Sequence, residues 1–173
     1  VTETMQSDAG WLMHPPARKN PVAPLPYLRT GPGIALDGGL HLDLSRPNPA
    51  YFERLRQPGQ RGFYVSEMLF QGVSVVMQDL WNAHPLNGGN NINGIDGDAD
   101  GDGLGKEVHR SPSAQVLQVQ ETYVRQVLET LRDLDNVLYE VVNEATPESV
   151  GWQYHLIRFI KQYERERGFV THP

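Results

Sequence analysis

The chain has 173 residues, of which 39% are hydrophobic and 21% are charged, and its formal net charge is −6. A chain of this length is expected to form one domain with room for a hydrophobic core. The acidic balance argues against a nucleic-acid partner, which would require a basic surface. No run of about 18 apolar residues is present, so no membrane-spanning segment is predicted. The sequence has no cysteine, which excludes disulfide bonds and thiolate chemistry but leaves the compartment open.

The first residues carry no recognisable targeting signal. Val1, Thr2, Glu3 and Thr4 provide neither a basic start nor an apolar core, so no signal peptide is predicted. The chain does not begin with Met, and we therefore expect the natural start to lie upstream. Secretion and a periplasmic location both stay open.

Residues 1–47 contain many prolines and glycines, which disfavour long helices and central strands. Trp11, Tyr27 and Leu28 nevertheless make this region unlike a disordered tail, which would be poorer in such side chains. The pattern predicts a long, ordered, irregular region. The βα units are expected in residues 48–173.

Residues 48–173 show two apolar strand patterns with helical patterns around them. A short helix is predicted to begin at Pro49, with Asn48 as its N-cap, and to end before Pro58 and Gly59. Residues 62–70 and 137–142 are mostly apolar, as in the buried strands of a parallel sheet. The helix before the second strand has apolar residues at helical spacing. Gly168 is predicted to end the last helix.

The order strand, long loop, helix, strand, helix predicts parallel strands joined by right-handed crossovers. The fold class is therefore α/β, and we expect part of a (β/α)8 TIM barrel with long βα loops. A complete barrel needs about 250 residues, so residues 1–173 would be its N-terminal part. A small doubly wound domain is the alternative architecture.

The second predicted strand ends abruptly in Asn143 and Glu144. In α/β barrels, polar residues at the carboxyl ends of the strands build the active site, whereas the strand body serves packing. A carboxyl group against apolar walls can act as a general acid because burial disfavours its charged form. Glu144 is therefore the first candidate for chemistry. The alternative is a surface glutamate that happens to follow a strand.

A second polar group follows the first predicted strand, at the same expected edge of the sheet. The rings of Trp81 and His84 are of a kind that contacts sugars, and the amides of Gln71 and Asn87 could reach sugar hydroxyls. These four residues are candidate substrate-binding residues together with Asn143. The alternative is that Trp81 only packs the loop.

Residues 96–107 match the calcium-loop pattern D-x-[DN]-x-[DN]-G-x5-E at every defined position. Carboxylates at alternate positions can converge on one hard cation, and the final glutamate can close the site. No amphipathic helix is predicted before the loop, so we reject an EF-hand fold and keep a single structural calcium loop as the hypothesis. A solvated acidic loop is the alternative. The candidate ligands are Asp96, Asp98, Asp100, Asp102 and Glu107.

Residues 137–144, Val-Leu-Tyr-Glu-Val-Val-Asn-Glu, resemble the fourth-strand signature of the cellulase-like clan of retaining (β/α)8 glycoside hydrolases. Several further stretches resemble one poorly characterised bacterial branch of glycosyl hydrolases in that clan. The resemblance covers most of the chain from Pro24 onward. These stretches are residues 24–33, 51–55, 64–66, 68–72, 93–98 and 152–155.

The resemblance implies hydrolysis of O-glycosidic bonds in an oligo- or polysaccharide by double displacement, with no metal required for catalysis. It implies that Glu144 is the acid/base and that Asn143 holds the sugar hydroxyl next to the reacting carbon. The nucleophile of this clan is a second glutamate on the seventh strand, which residues 1–173 do not reach. We therefore expect the missing C-terminal part of the barrel to complete the site, since retaining hydrolysis needs both carboxyl groups. Residues 56–60 depart from the clan pattern, because the helix expected there is shorter and more broken.

Two other classes of function stay open. The chain could belong to a non-catalytic carbohydrate-binding protein in which the cleft lacks a working carboxylate pair. It could also be a calcium-dependent structural or interaction module in which Glu144 is incidental. A later strand that ends in glutamate would favour the enzyme over both.

Overall fold

In the computed structural model, the described residues are 2–4, 11–14, 18–21, 24–169 and 172. The strands are β1 (Thr2–Thr4), β2 (Trp11–His14), β3 (Arg18–Pro21), β4 (Tyr27–Ile34), β5 (Leu40–Pro47), β6 (Val65–Gln71) and β7 (Val137–Asn143). The helices are α1 (Pro49–Gln60), α2 (Gln78–Trp81), α3 (Glu107–Arg110), α4 (Ala114–Leu131) and α5 (Val150–Arg167). Two 3-10 turns, Gly72–Val75 and Pro147–Ser149, lie after β6 and β7.

The main sheet consists of β1, β6 and β7, which are parallel and lie in that order. β6 and β7 pair from Val65 opposite Val137 to Gln71 opposite Asn143, so both strands end at the same edge. The connection between them contains α4, as a parallel pair requires a long crossover. The chain is therefore of the mixed α/β class that the sequence predicts. Among the described residues, this sheet has three strands and does not close into a barrel.

Part of residues 1–47, which the sequence analysis predicts to be irregular, forms antiparallel strand pairs. β2 pairs with β3, and β4 pairs with β5. The prediction is wrong for these strands because the glycines lie at a register irregularity and at the turn. Gly33 and Gly38 have φ values of 84° and 85°, which glycine adopts at little cost. The segments that separate β1, β2, β3 and β4 lie largely outside the described residues.

The helices largely begin and end where capping residues predict. The predicted end of α1 is wrong, because this helix continues through Pro58 and Gly59 to Gln60. The side chain of Asn48 accepts a hydrogen bond from the main-chain N–H of Ala50 at 3.2 Å, and Gly168 ends α5 with a left-handed φ of 65°. α5 begins only at Val150, because Pro147 first opens a 3-10 turn. Within the part of the chain that the structure describes, no helix is long and apolar enough to cross a membrane.

The core contains two clusters. In the larger cluster, α1, α4 and α5 pack on β6 and β7, and Phe70 meets Tyr123 and Trp152 edge to face at centroid distances of 5.6 and 5.2 Å. The smaller cluster packs the β4–β5 hairpin against the loop after β6, around Leu42 and Trp81. A parallel bridge from Leu42 to Asn91 also ties β5 to this loop. The hairpin therefore supports the long βα loop from outside the main sheet.

A side-chain brace connects α1 to the end of α4. The guanidinium of Arg56 donates to both carboxylate oxygens of Asp133, at 2.8 and 2.9 Å, and also to the carbonyl of Thr130. The hydrogen bond from Arg56 holds the pKa of Asp133 down at about 2. A carboxyl group whose pKa is lowered by folding adds stability at neutral pH, and this contribution is lost as the pH falls through the folded pKa.

We expect Asp133→Asn to lower the free energy of unfolding by no more than about 1 kcal/mol at neutral pH, because the Asp133 side chain is 60% exposed and solvent screens the pair. The difference from the wild type should disappear as the pH falls from about 4 to about 2, where the carboxyl group becomes protonated. Urea unfolding at several pH values measures both effects, with the exposed Asp135→Asn as a control. An equal loss at every pH would contradict the ion-pair explanation.

Candidate functional site at the carboxyl ends of two parallel strands

Glu144 is the first residue after β7, and its side chain is exposed. Its φ is 52°, and among the described residues it is the one non-glycine residue with a positive φ. The left-handed conformation costs a residue with a Cβ roughly 1–2 kcal/mol. Such a conformation persists only where the surrounding structure imposes it, and these positions cluster at functional sites. The tip of β7 is therefore shaped by contacts, not by local preference.

The turn after β6 provides these contacts. Gly72 lies directly against the main chain of the β7 tip, and a Cβ at this position would be 2.4 Å from the carbonyl oxygen of Glu144 and 2.8 Å from Cα of Ala145. A side chain at position 72 would thus displace the main chain at Glu144. The buried hydroxyl of Ser74 donates to the carbonyl of Gln71 at 2.5 Å and holds the turn in place. The ends of β6 and β7 therefore form one packed unit.

Gln71 and Asn143 end the two strands side by side. They are register partners, and the amide nitrogen of Asn143 donates to Oε1 of Gln71 at 3.4 Å. This hydrogen bond is long and therefore weak, and each amide keeps further donor or acceptor capacity. Gln71 is 6% exposed, so Asn143 and Glu144 are the more accessible groups. The structure thus brings together three of the predicted site residues, Gln71, Asn143 and Glu144.

An ion pair lies beside this site, and no local sequence pattern identifies it. The guanidinium of Arg110, at the end of α3, lies 3.7 Å from the carboxylate of Glu148 in the 3-10 turn after β7. A hydrogen bond from Thr146 lowers the pKa of Glu148, and the charge of Arg110 lowers it further. The sequence Thr-Pro-Glu at residues 146–148 is typical of a helix start, but this pattern does not indicate that α3 lies next to these residues. Gly72 was missed for the same reason, since its contact is with a residue far along the chain.

Trp81 and His84 do not line the site. Their side chains are 1% and 0% exposed, and the two rings stack at 5.1 Å. The indole is also enclosed by Gly105, where a Cβ would come within 2.2 Å of the ring. The amide of Asn87 donates to the carbonyl of Trp81 and accepts from the N–H of Gly89. The prediction that Trp81 and His84 present ring faces to a sugar is therefore wrong, because the loop buries these rings in its own core.

Asparagine side chains hold the loop between β6 and α3. The amide nitrogen of Asn91 donates to the carbonyl oxygens of Pro85, Asn87 and Ile95 at 3.0, 3.2 and 2.8 Å. The amide of Asn90 adds bonds to the carbonyls of Asn82 and His84. Side-chain amides thereby satisfy the main-chain oxygens that a helix or sheet would otherwise pair. This network explains how a long connection is ordered with little regular structure.

The acidic loop brings together three of its five predicted metal ligands. One carboxylate oxygen from each of Asp98, Asp100 and Glu107 lies within 4.8 Å of the others. Asp96 instead accepts from the N–H of Asp98 at 3.1 Å, and Asp102 forms an ion pair with Lys106. Within the described part of the chain, Oε2 of Glu107 is buried with no hydrogen-bond partner. Three converging carboxylates are a donor set that suits a hard divalent cation.

Comparisons with known proteins do not assign a family: no family model, no curated protein and no solved structure matches this chain. The function is therefore proposed from the chemistry of the strand ends. That chemistry comprises an exposed carboxylate on a strained backbone and two adjacent amides.

Proposed function

We propose that the chain is the N-terminal part of a (β/α)8 glycoside hydrolase in which Glu144 is the acid/base of a retaining reaction. The observation that carries this proposal is the position of Glu144, exposed at the carboxyl end of β7, with a left-handed backbone held against Gly72. Non-glycine residues in this conformation cluster at functional sites. In α/β barrels, the same strand ends carry the catalytic groups.

The strand order of the sheet is compatible with a barrel and also with one half of a doubly wound sheet. β1, β6 and β7 are parallel and lie in the sheet in the order in which they occur in the chain. Successive neighbours of this kind are the rule in a (β/α)8 barrel, whereas a doubly wound sheet reverses its strand order at a switch point. The described strands contain no such reversal.

In the proposed mechanism, the Glu144 carboxyl group protonates the oxygen of the leaving sugar and later accepts a proton from the attacking water. Asn143 holds the sugar hydroxyl beside the reacting carbon, and Gln71 supports the amide of Asn143 from the neighbouring strand. The nucleophilic carboxylate should lie about 5–5.5 Å from the acid/base. We propose that it follows a strand later in the protein than residue 173.

The test compares the 173-residue chain with the product of the same reading frame continued past Pro173. Aryl glycosides serve as substrates, and NMR of the first-formed sugar reports its anomeric configuration. We expect the longer protein to hydrolyse them with retention and the 173-residue chain to show no turnover. Turnover by the shorter chain would mean that the nucleophile lies within it. Sugar binding without turnover by the longer protein, with no later strand ending in glutamate, would favour the non-catalytic alternative.

We also propose that Asp98, Asp100 and Glu107 hold a structural calcium ion. The convergence of their oxygens, together with the buried Oε2 of Glu107, supports this assignment. The ion would neutralise these carboxylates and fix the loop between β6 and α4. It would take no part in the hydrolysis.

Calcium is expected to stabilise the protein by RT ln(1 + [L]/Kd), about 2.7 kcal/mol at 100 times Kd. The double variant Asp98→Asn/Asp100→Asn should lose the calcium heat in titration calorimetry and the shift in melting temperature. Asp102→Asn is the matched control, because its carboxylate pairs with Lys106 outside the cluster. Near-zero heats for all three proteins, with no effect of a chelator on melting, would leave the solvated acidic loop as the correct interpretation.

A further inference from the structure

A buried imidazole lies between α5 and the base of β7. The side chains of His172 and Glu164 are 2% and 0% exposed, and Nδ1 of the ring lies 2.8 Å from Oε1 of the carboxyl group. The other ring nitrogen, Nε2, lies 2.7 Å from the carbonyl oxygen of Leu134, which precedes β7. The ring therefore connects α5 to the segment that leads into β7.

Both hydrogen bonds require protons. A carbonyl oxygen only accepts, so Nε2 of His172 must carry a hydrogen. At Nδ1, either the imidazolium donates to an ionised Glu164, or a protonated Glu164 donates to a neutral ring. In both cases the pair holds one proton more than a neutral histidine beside an ionised glutamate.

Among the described residues around the pair, no other group provides this proton. The ring of Tyr139 meets that of His172 edge to face at 4.9 Å, and its register partner on β6 is the buried Glu67. Burial, together with the charges of Glu164 and Glu67, raises the pKa of Tyr139 far above its ordinary value, so the phenol stays neutral. The ammonium of Lys161 donates to the main-chain oxygen of His172 and not to the carboxyl group of Glu164.

We propose that Glu164 and His172 form a proton-dependent contact that holds His172, five residues beyond the end of α5, against the base of β7. When one of these protons is lost, the ring lone pair faces an oxygen in a buried position, either the carboxylate of Glu164 or the carbonyl of Leu134, and the contact opens. A released imidazole gives up its proton near about pH 6.5. Above that pH the docked form binds more protons than the released form, so docking weakens as the pH rises. Below about pH 4.3, a released glutamate also binds a proton, so docking weakens again.

The variant Glu164→Gln keeps a hydrogen bond to His172 but removes the carboxyl group that shares the proton. The glutamine amide can donate to Nδ1 of a neutral ring, while Nε2 still donates to Leu134. Docking should then become insensitive to pH above about 6.5 and weaken below it, where the ring tends to take up a proton. Glu121→Gln is the matched control, since Glu121 pairs with His155 at 2.9 Å but that imidazole is 41% exposed.

Two measurements on the whole chain test this proposal. The melting temperature of the wild type should fall between about pH 6 and pH 8.5, as should that of Glu121→Gln, whereas Glu164→Gln should show no such fall. Proton NMR of the wild type above neutral pH should show two slowly exchanging protons on the His172 ring, one at Nε2 and one between Nδ1 and Glu164. In Glu164→Gln, the ring should carry only the Nε2 proton. The same pH dependence in the wild type and Glu164→Gln, or a single ring proton in the wild type, would overturn the proposal.

Discussion

Glu144→Gln should lower kcat for glycosides with poor leaving groups by about 10²–10⁴-fold, since this is the typical contribution of a general acid. Glutamine keeps the size of the side chain but cannot give a proton to the leaving oxygen. Glycosides whose leaving group departs without protonation should lose much less in the first step. This dependence on the leaving group is measured on the full-length product of the reading frame. It distinguishes an acid from a residue that only binds the sugar.

Glu148→Gln is the control for this experiment, because Glu148 is also exposed near the end of β7 but pairs with Arg110. We expect its activity to stay near the wild-type level. A second variant, Glu144→Gly, distinguishes an effect on catalysis from an effect on stability. Glycine adopts the left-handed conformation at little cost, so the free energy of unfolding should rise by about 1 kcal/mol. Activity should nevertheless be lost. Equal activity in the Glu144 and Glu148 variants would remove Glu144 from the catalytic role.

Gly72→Ala is expected to destabilise the protein by about 3 kcal/mol and to displace the tip of β7. The added Cβ would be 2.4 Å from the carbonyl oxygen of Glu144, and this neighbour is main chain and cannot rotate away. Urea unfolding measures the loss of stability. In the longer protein, the proposed acid would also move, so kcat should fall even at temperatures where the variant is folded.

Gly151→Ala provides the matched comparison, because a Cβ at that helical position would meet nothing within 4 Å. Alanine there should be neutral or stabilising by up to about 1 kcal/mol, owing to its higher helix propensity. If both alanine variants are tolerated equally well, the packing of Gly72 against Glu144 does not fix the site.

Local sequence signals predicted the parts of this fold whose causes are local. β6 and β7 are short apolar runs, and they pair in parallel as predicted. The helical spacing of apolar residues in α4 produces a buried face, and Gly168 ends α5 in the left-handed conformation. The candidate site residues Asn143 and Glu144 were recognisable because an apolar strand ends there in two polar groups. These features depend on residues that are neighbours in the chain.

The tertiary structure decided the features that depend on distant residues. No local pattern shows that Gly72 touches the main chain of Glu144, or that Trp81 is enclosed by Gly105. The same holds for the acidic loop, in which three of five carboxylates converge.

The sequence thus determined the two long parallel strands, the main helices and the residues at the tip of β7. Which aromatic rings are buried, and what holds Glu144 in its strained conformation, was decided by packing between segments. Such contacts form only when segments distant in the chain pack together in the folded protein. They outweigh local conformational preferences because a closely packed interior restricts each side chain through all of its neighbours.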